Sequence, residues 1–181
     1  MSAESTSEDT QSEEPVEEAG VEIEMAYGCP VSYSRAQRVI HPTREQWRSV
    51  ASSLLADGFN MCVDVTGVDY LTFGGQRRLP AGIEGERFEV VAGFISHERR
   101  ERIRARVQVP EADATIASLY SIYPGADALE REVYDLLGVA FEGHPDLSRI
   151  MMPEHWEGHP LRKDYATGAI PVQFKGAPAS R

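Results

Sequence analysis

The histidines of the C-terminal third could do chemistry, because two of them lie in a repeated Gly-His-Pro triplet. His144 and His159 each stand between a glycine and a proline. Glycine lets the backbone turn, and a proline disfavours helical geometry at the residue before it. We therefore expect residues 139–181 to form an irregular, extended segment, called here the C-terminal strap, that presents both imidazoles from turns.

A metal site is the first chemistry that these histidines suggest. His155 and His159, with a glutamate between them, resemble the H-E-x-x-H zinc motif, but the glutamate comes one position late. The neighbouring glycine and proline also disfavour the helix that would bring both rings to one face. A site using His144, Asp146 and His159 stays open, as does a standalone metal hydrolase using the three histidines at 144, 155 and 159. We favour packing roles, because histidine beside aromatic and acidic residues is usually hydrogen-bonded.

A second candidate is the charged face of the segment 130–138. Helical spacing places Glu130 one turn from Tyr134 and Arg131 one turn from Asp135. Paired carboxylates could act as general acid and base. We favour a structural role instead, in which this face binds the strap through charge-assisted hydrogen bonds to its basic residues. The basic residues in question are Arg149, Arg162 and Lys163.

Charge is distributed unevenly along the 181 residues. The formal net charge is -11, and the first 24 residues hold nine acids and no Lys or Arg. Such a segment buries too little apolar surface to offset its chain entropy, so we expect residues 1–24 to be disordered. The charge pattern shows no basic stripe of the kind that binds nucleic acid.

Cysteine content argues against an iron–sulfur cluster in this chain. Cys29 and Cys62 are the two cysteines, whereas a cluster ordinarily takes four thiolates. We expect Cys62 to lie in the core and Cys29 to be exposed or interfacial. No secretion signal or membrane-length apolar run is recognised, which predicts a soluble, cytoplasmic chain with reduced thiols.

Hydrophobic periodicity outlines the elements that must position these residues. The pattern predicts a strand over 37–41, a helix from a Thr43 capping box to Gly58, a strand over 59–68, a long mobile loop over 71–86, a hairpin over 87–96 and 101–109, a short helix over 112–122 and a helix over 126–137. The arginines at 102, 104 and 106 share one face of their strand with Gln108, and we expect that face to be solvated.

This order of elements predicts an α+β fold. We expect a small mixed β-sheet with helices packed on one face, in a ferredoxin-like order, over residues 25–138. The strap then follows as a segment that docks on partner chains, because irregular backbone needs partners for its polar groups.

A long run of motif positions resembles a known family. The segment 130–150, from Glu-Arg-Glu-Val-Tyr-Asp-Leu-Leu-Gly onward, and the segment 157–165, Glu-Gly-His-Pro-Leu-Arg-Lys-Asp-Tyr, are similar to the signature of the C subunit of NADH-quinone oxidoreductase. Residues 64–70 and 87–91 also fit that pattern. The resemblance spans most of the body, from about residue 37 to 165.

The resemblance implies a scaffold within a larger assembly. In that family the C subunit carries no cofactor and packs against the large D subunit in the peripheral arm of respiratory complex I, with flavin and iron–sulfur clusters in partner subunits. It implies peripheral attachment, through the complex, to the cytoplasmic face of the plasma membrane. An equivalent subunit of a membrane-bound hydrogenase-type complex is the alternative. The expected partner-interface residues are Glu130, Arg131, Glu132, Asp135, His144, Asp146, Arg149, His159, Arg162, Lys163 and Asp164.

Overall fold

A computed structural model describes residues 23–166 of the chain. The elements are β1 (Met25–Ala26), β2 (Cys29–Ser34), β3 (Gln37–Ile40), α1 (Arg44–Ala56), β4 (Met61–Asp69), β5 (Phe88–Ser96), β6 (Glu101–Val109), β7 (Thr115–Ala117), α2 (Asp127–Leu137) and β8 (Ala140–Glu142). The predicted disordered tail, except residues 23 and 24, and the end of the strap lie outside the described residues. None of the helices within 23–166 is long and apolar enough to cross a membrane.

Six strands form one mixed sheet in the order β1-β2-β3-β6-β5-β4. β3 and β6 pair in parallel, and the other neighbours in this sheet pair antiparallel. β7 and β8 form a separate parallel pair. The mixed α+β class is therefore confirmed. The ferredoxin-like order is not, because four strands follow α1 before α2, and β8 pairs outside the main sheet.

Both helices pack on the same face of the sheet. Along β5, the side chains of Phe88, Val90 and Phe94 alternate onto this face and are buried. They share one core with Trp47 of α1 and Val133 of α2. Helix α1 begins at the predicted capping box, in which Thr43 and the third helical residue exchange hydrogen bonds. The one-sided helix packing and this helix start are both confirmed.

The predicted helix over 112–122 is wrong. Residues Glu111–Asp113 form a single 3-10 turn, and β7 follows it. The β-branched residues Thr115 and Ile116 favour extended backbone. Their pairing partner, β8, lies more than twenty residues later in the chain, so local periodicity could not reveal it.

The opposite face of the sheet contains a buried carboxylate, Glu89, which is 1% exposed. It accepts hydrogen bonds from Arg106 Nε at 2.7 Å, Arg77 Nη2 at 2.9 Å and Gln108 Nε2 at 2.6 Å. Arg77 belongs to the loop over 71–86, so that loop lies against the sheet. The expectation of a solvated face is therefore wrong at Arg106 and Gln108, because burying a carboxylate requires partners for its charge.

The two thiols also differ from expectation. Cys29 is fully buried at the start of β2, although we expected it to be exposed or interfacial. Cys62 is only partly buried and packs against the edge of the core. Burial raises the pKa of both thiols, that of Cys62 to about 12.

Candidate functional site

Helix α2 ends where the strap turns back along it. Gly138 adopts a left-handed conformation with φ of 75° and donates its N–H to the carbonyl of Tyr134. A Cβ at this position would lie 2.6 Å from His159 Cδ2. Two features therefore require glycine at this position: the positive backbone angle and the close packing of the His159 imidazole.

The carboxylate of Asp135 is the main anchor of the strap. Its side chain is fully buried, and Oδ1 accepts a hydrogen bond from Arg149 Nη1 at 2.6 Å. Oδ2 accepts the backbone N–H groups of Ile150, Met151 and Met152 at 3.0, 2.7 and 2.8 Å. Burial opposes ionisation, but these four donors outweigh it, so the pKa of Asp135 lies below its ordinary value.

Arg131 holds the same stretch of the strap one turn earlier on α2. Its guanidinium donates to the carbonyl of Ser148 at 3.1 Å, to Ser148 Oγ at 2.8 Å and to the carbonyl of Arg149 at 3.3 Å. The predicted bond between this helix face and a basic residue of the strap is thus present for Asp135 and Arg149. Arg131 contacts the strap through Ser148 and a backbone carbonyl instead, and no such bond to this face joins Arg162 or Lys163 within residues 23–166.

Two histidines contact opposite ends of α2. His144 Nε2 lies 3.3 Å from the carbonyl oxygen of Asp127, and His159 Nδ1 lies 2.9 Å from that of Asp135. Those carbonyls are separated by eight residues, or about 12 Å along a helix. Because a zinc ion binds imidazole nitrogen at about 2 Å, these two histidines do not converge on one ion here. No group of three or more His, Cys, Asp or Glu within residues 23–166 is placed to hold a metal.

Glu130 lies on the charged face but pairs with none of Arg149, Arg162 and Lys163; its neighbour from the strap is His144, whose Nε2 lies 4.0 Å from Glu130 Oε2. It is fully buried, and it accepts hydrogen bonds from Ser118 Oγ and from the backbone N–H of Leu119, both at 2.6 Å. Burial raises the pKa of this carboxyl group above its ordinary value. Glu130 therefore positions the turn after β7, and the expected bond from it to a strap arginine or lysine is wrong.

The second anchor of the strap is Asp69, which the sequence analysis did not single out. Asp69 Oδ2 accepts the N–H of Lys163 at 2.8 Å and pairs with Arg87 Nη2 at 3.0 Å. Arg87 also pairs with Asp164 at 2.8 Å and with Glu111. The available signal was an acid at the end of one strand, β4, and an arginine just before the next strand, β5.

The other predicted interface residues are oriented in several ways. Glu132 and Asp146 are exposed, and Asp146 Oδ1 accepts the N–H of Ser148. The Arg162 guanidinium lies 5.0 Å from the centre of the Phe88 ring. In its described part, up to residue 166, the strap also exposes three large apolar side chains, Ile150, Met151 and Leu161.

A cavity of about 480 Å³ lies elsewhere, between the first turn of α1 and the loop residues 82–86. Its lining includes His41, whose pKa is lowered to about 4 by burial and by the nearby Arg106. None of the predicted site residues lines this cavity, so the strap and its two anchors form the candidate site.

Comparison with known proteins gives consistent matches. The chain is 41% identical over 161 residues to the C subunit of NADH-quinone oxidoreductase from Mycobacterium ulcerans, covering 87% of this chain and 63% of that protein. It is 43% identical over 146 residues to the protein of the same name from Mycolicibacterium smegmatis, covering 79% and 57%. The chain thus spans less than two thirds of the length of these relatives.

Two solved structures share the fold. The trypsin-resistant fragment (1–134) of Nqo5 superposes with a TM-score of 0.58 at 35% identity, over 66% of this chain and 89% of that fragment. A chain of the membrane-bound sulfane sulfur reductase, an archaeal respiratory membrane complex, gives 0.62 at 23% identity over 84% and 90%, a likeness of fold alone. The family model described as "Respiratory-chain NADH dehydrogenase, 30 Kd subunit" matches residues 40–170. With that match over most of its length, the chain belongs to the family of the 30 kDa subunit of respiratory-chain NADH dehydrogenase.

Proposed function

We propose that this chain is a non-catalytic scaffold subunit in the peripheral arm of a proton-translocating NADH-quinone oxidoreductase. It supports electron transfer from NADH to quinone by docking its strap on the large D subunit of that arm. The observation that carries the proposal is the strap itself, an irregular segment whose backbone two buried carboxylates bind while its apolar side chains face outward.

Two charged side chains of the strap pair with the body of the chain. Arg149 binds Asp135, and Asp164 binds Arg87. A partner therefore contacts side chains of the strap that form no such pair, chiefly the exposed Ile150, Met151 and Leu161. Apolar side chains fixed in position suit an interface, because burying them removes apolar area from water at little cost in chain entropy.

Redox cofactors belong to partner subunits in this proposal. Two cysteines are fewer than an iron–sulfur cluster ordinarily requires, and Cys29 is fully buried within the core. Two histidines of the strap, His144 and His159, contact backbone carbonyls of α2 and act as packing residues. Attachment to the cytoplasmic face of the plasma membrane is indirect, through the assembled complex.

The test is the assembly of the complex in membranes that carry variant chains. Ile150→Ser and Met151→Ser change exposed side chains and leave the anchors Asp135 and Asp69 intact. We expect both to lower NADH-quinone reductase activity and the recovery of partner subunits with the chain. Met25→Ser is the matched control, because Met25 is exposed to a similar extent, 57% against 60% for Met151, and lies on β1.

Normal assembly with both strap variants would refute docking through this segment. Arg149→Ala and Arg162→Ala should also leave the body folded and lower assembly, but Arg149 additionally binds Asp135, so the apolar variants test docking more selectively. The identity of the co-purified partners decides the parent complex. Flavin-containing and NADH-oxidising partners support the proposal, whereas nickel-containing partners support the hydrogenase-type alternative.

A further inference from the structure

We propose that Leu71 and Phe73, in the turn after β4, form a second apolar contact for the same partner that receives the strap. This inference rests on the proposed function and extends it to a part of the chain outside the strap.

The turn exposes two large apolar side chains within three residues. Leu71 is 48% exposed and Phe73 is 54% exposed. Exposed apolar residues scattered singly are ordinary on protein surfaces, but a cluster often marks a contact site. Leu161 of the strap, 52% exposed, lies two residues before the N–H that binds Asp69.

Hydrogen bonds and ring packing fix this turn against the body. The N–H of Leu71 donates to Asp69 Oδ1, and the N–H of Phe73 donates to the carbonyl of Tyr70, both at 2.9 Å. The rings of Phe73 and Tyr70 meet edge-on at 5.6 Å between centroids, and the Arg77 guanidinium covers the Tyr70 ring at 3.7 Å. The turn therefore presents its apolar residues in one conformation and loses little entropy on binding.

One carboxylate places the turn beside the strap. Asp69 Oδ1 accepts the N–H of Leu71, and Asp69 Oδ2 accepts that of Lys163. Two nitrogens that bind the two oxygens of one carboxylate lie within about 8 Å of each other. A protein that covers the strap at Lys163 thus has the backbone of the turn within about 8 Å. This continuity identifies the occupant as the partner of the strap.

Thiol labelling of full-length chains tests the contact directly. Phe73→Cys should react quickly with a maleimide in the isolated chain and at least about tenfold more slowly in the complex purified from membranes, since thiol reactivity follows exposure. Tyr33→Cys, at a position 57% exposed on β2, is the control and should react equally in both. The unsubstituted chain gives the background from its own cysteines.

Three outcomes overturn or confine the proposal. Equal labelling of Phe73→Cys in the two states, with Met151→Cys protected in the complex, refutes the turn contact and leaves the proposed function standing. If Met151→Cys is also unprotected, the proposed function fails as well. A third result would be slow labelling of Phe73→Cys in the isolated chain that becomes fast when Phe174→Ser is added. It would assign the turn to the chain's own C-terminal residues and would overturn the partner assignment.

Discussion

Replacing Asp135 by asparagine should release the strap from α2 without unfolding the body. The substitution keeps the size of the side chain and removes its charge. One carboxylate oxygen faces Arg149, and the other faces three backbone N–H groups. An asparagine has one acceptor oxygen, so in either orientation its NH2 group must face donors.

The free energy lost in Asp135→Asn can be worked out from those four hydrogen bonds. Hydrogen bonds to a charged group contribute about 1.5–3 kcal/mol each, against about 1 kcal/mol for neutral ones. With its oxygen toward the three N–H groups, asparagine weakens those bonds and leaves Arg149, whose side chain is 16% exposed, facing another donor. Breaking a buried pair costs about 3–5 kcal/mol, and partial exposure of Arg149 places the expected loss near the lower end, about 3 kcal/mol.

Hydrogen exchange of the amides of Ile150, Met151 and Met152 measures this loss locally. A change of about 3 kcal/mol in local opening corresponds to exchange about 150-fold faster. Glu132→Gln is the matched control, because it removes an exposed carboxylate from the same helix. Amides as protected in Asp135→Asn as in the unsubstituted chain would refute the anchor role assigned to this carboxylate.

The pH dependence of this anchor has a definite sign. The folded-state pKa of Asp135 lies below its ordinary value, so its contribution is fully present above the unfolded value of about 3.9 and is lost as pH falls through the folded value. The difference in the free energy of strap opening between Asp135→Asn and the unsubstituted chain should therefore be constant at neutral and mildly acidic pH. It should shrink only below about pH 4.

Two further predictions concern the ends of α2. Gly138→Ala should destabilise the chain by at least about 1–2 kcal/mol in urea unfolding, because φ is 75° and the new Cβ meets His159; an unchanged midpoint would contradict the close packing. Burial raises the folded-state pKa of Glu130 above the unfolded-state value of about 4.3. We therefore expect the free energy of unfolding to fall as the pH rises from about 4.3 through the folded-state pKa. Glu130→Gln can still accept from Leu119 N–H and donate to Ser118 Oγ, and it should remove this pH dependence of stability. Urea unfolding of both chains at pH 5 and pH 7 measures the effect, and an equal change in stability in the two chains would contradict the prediction.

Local patterns in the sequence were sufficient to predict several elements of the fold. The capping box at Thr43, the apolar spacing of α2 and the alternation along β6 each depend on neighbours within a few residues. The motif run over 130–165 likewise indicated the family, because fixed spacing of many residue types is visible in one dimension. The contact between α2 and the strap follows from the same helical spacing, since Arg131 and Asp135 lie one turn apart.

Tertiary structure alone decided which groups meet across long separations in the chain. The pairing of β7 with β8, the bond from Glu130 to the turn after β7 and the binding of Lys163 by Asp69 join residues with no shared local period. The family resemblance implied that Arg149 and Asp164 of the strap contact a partner, yet both side chains are paired within the chain. A buried carboxylate takes the nearest donors that the fold supplies, and only the packed structure determines which donors those are.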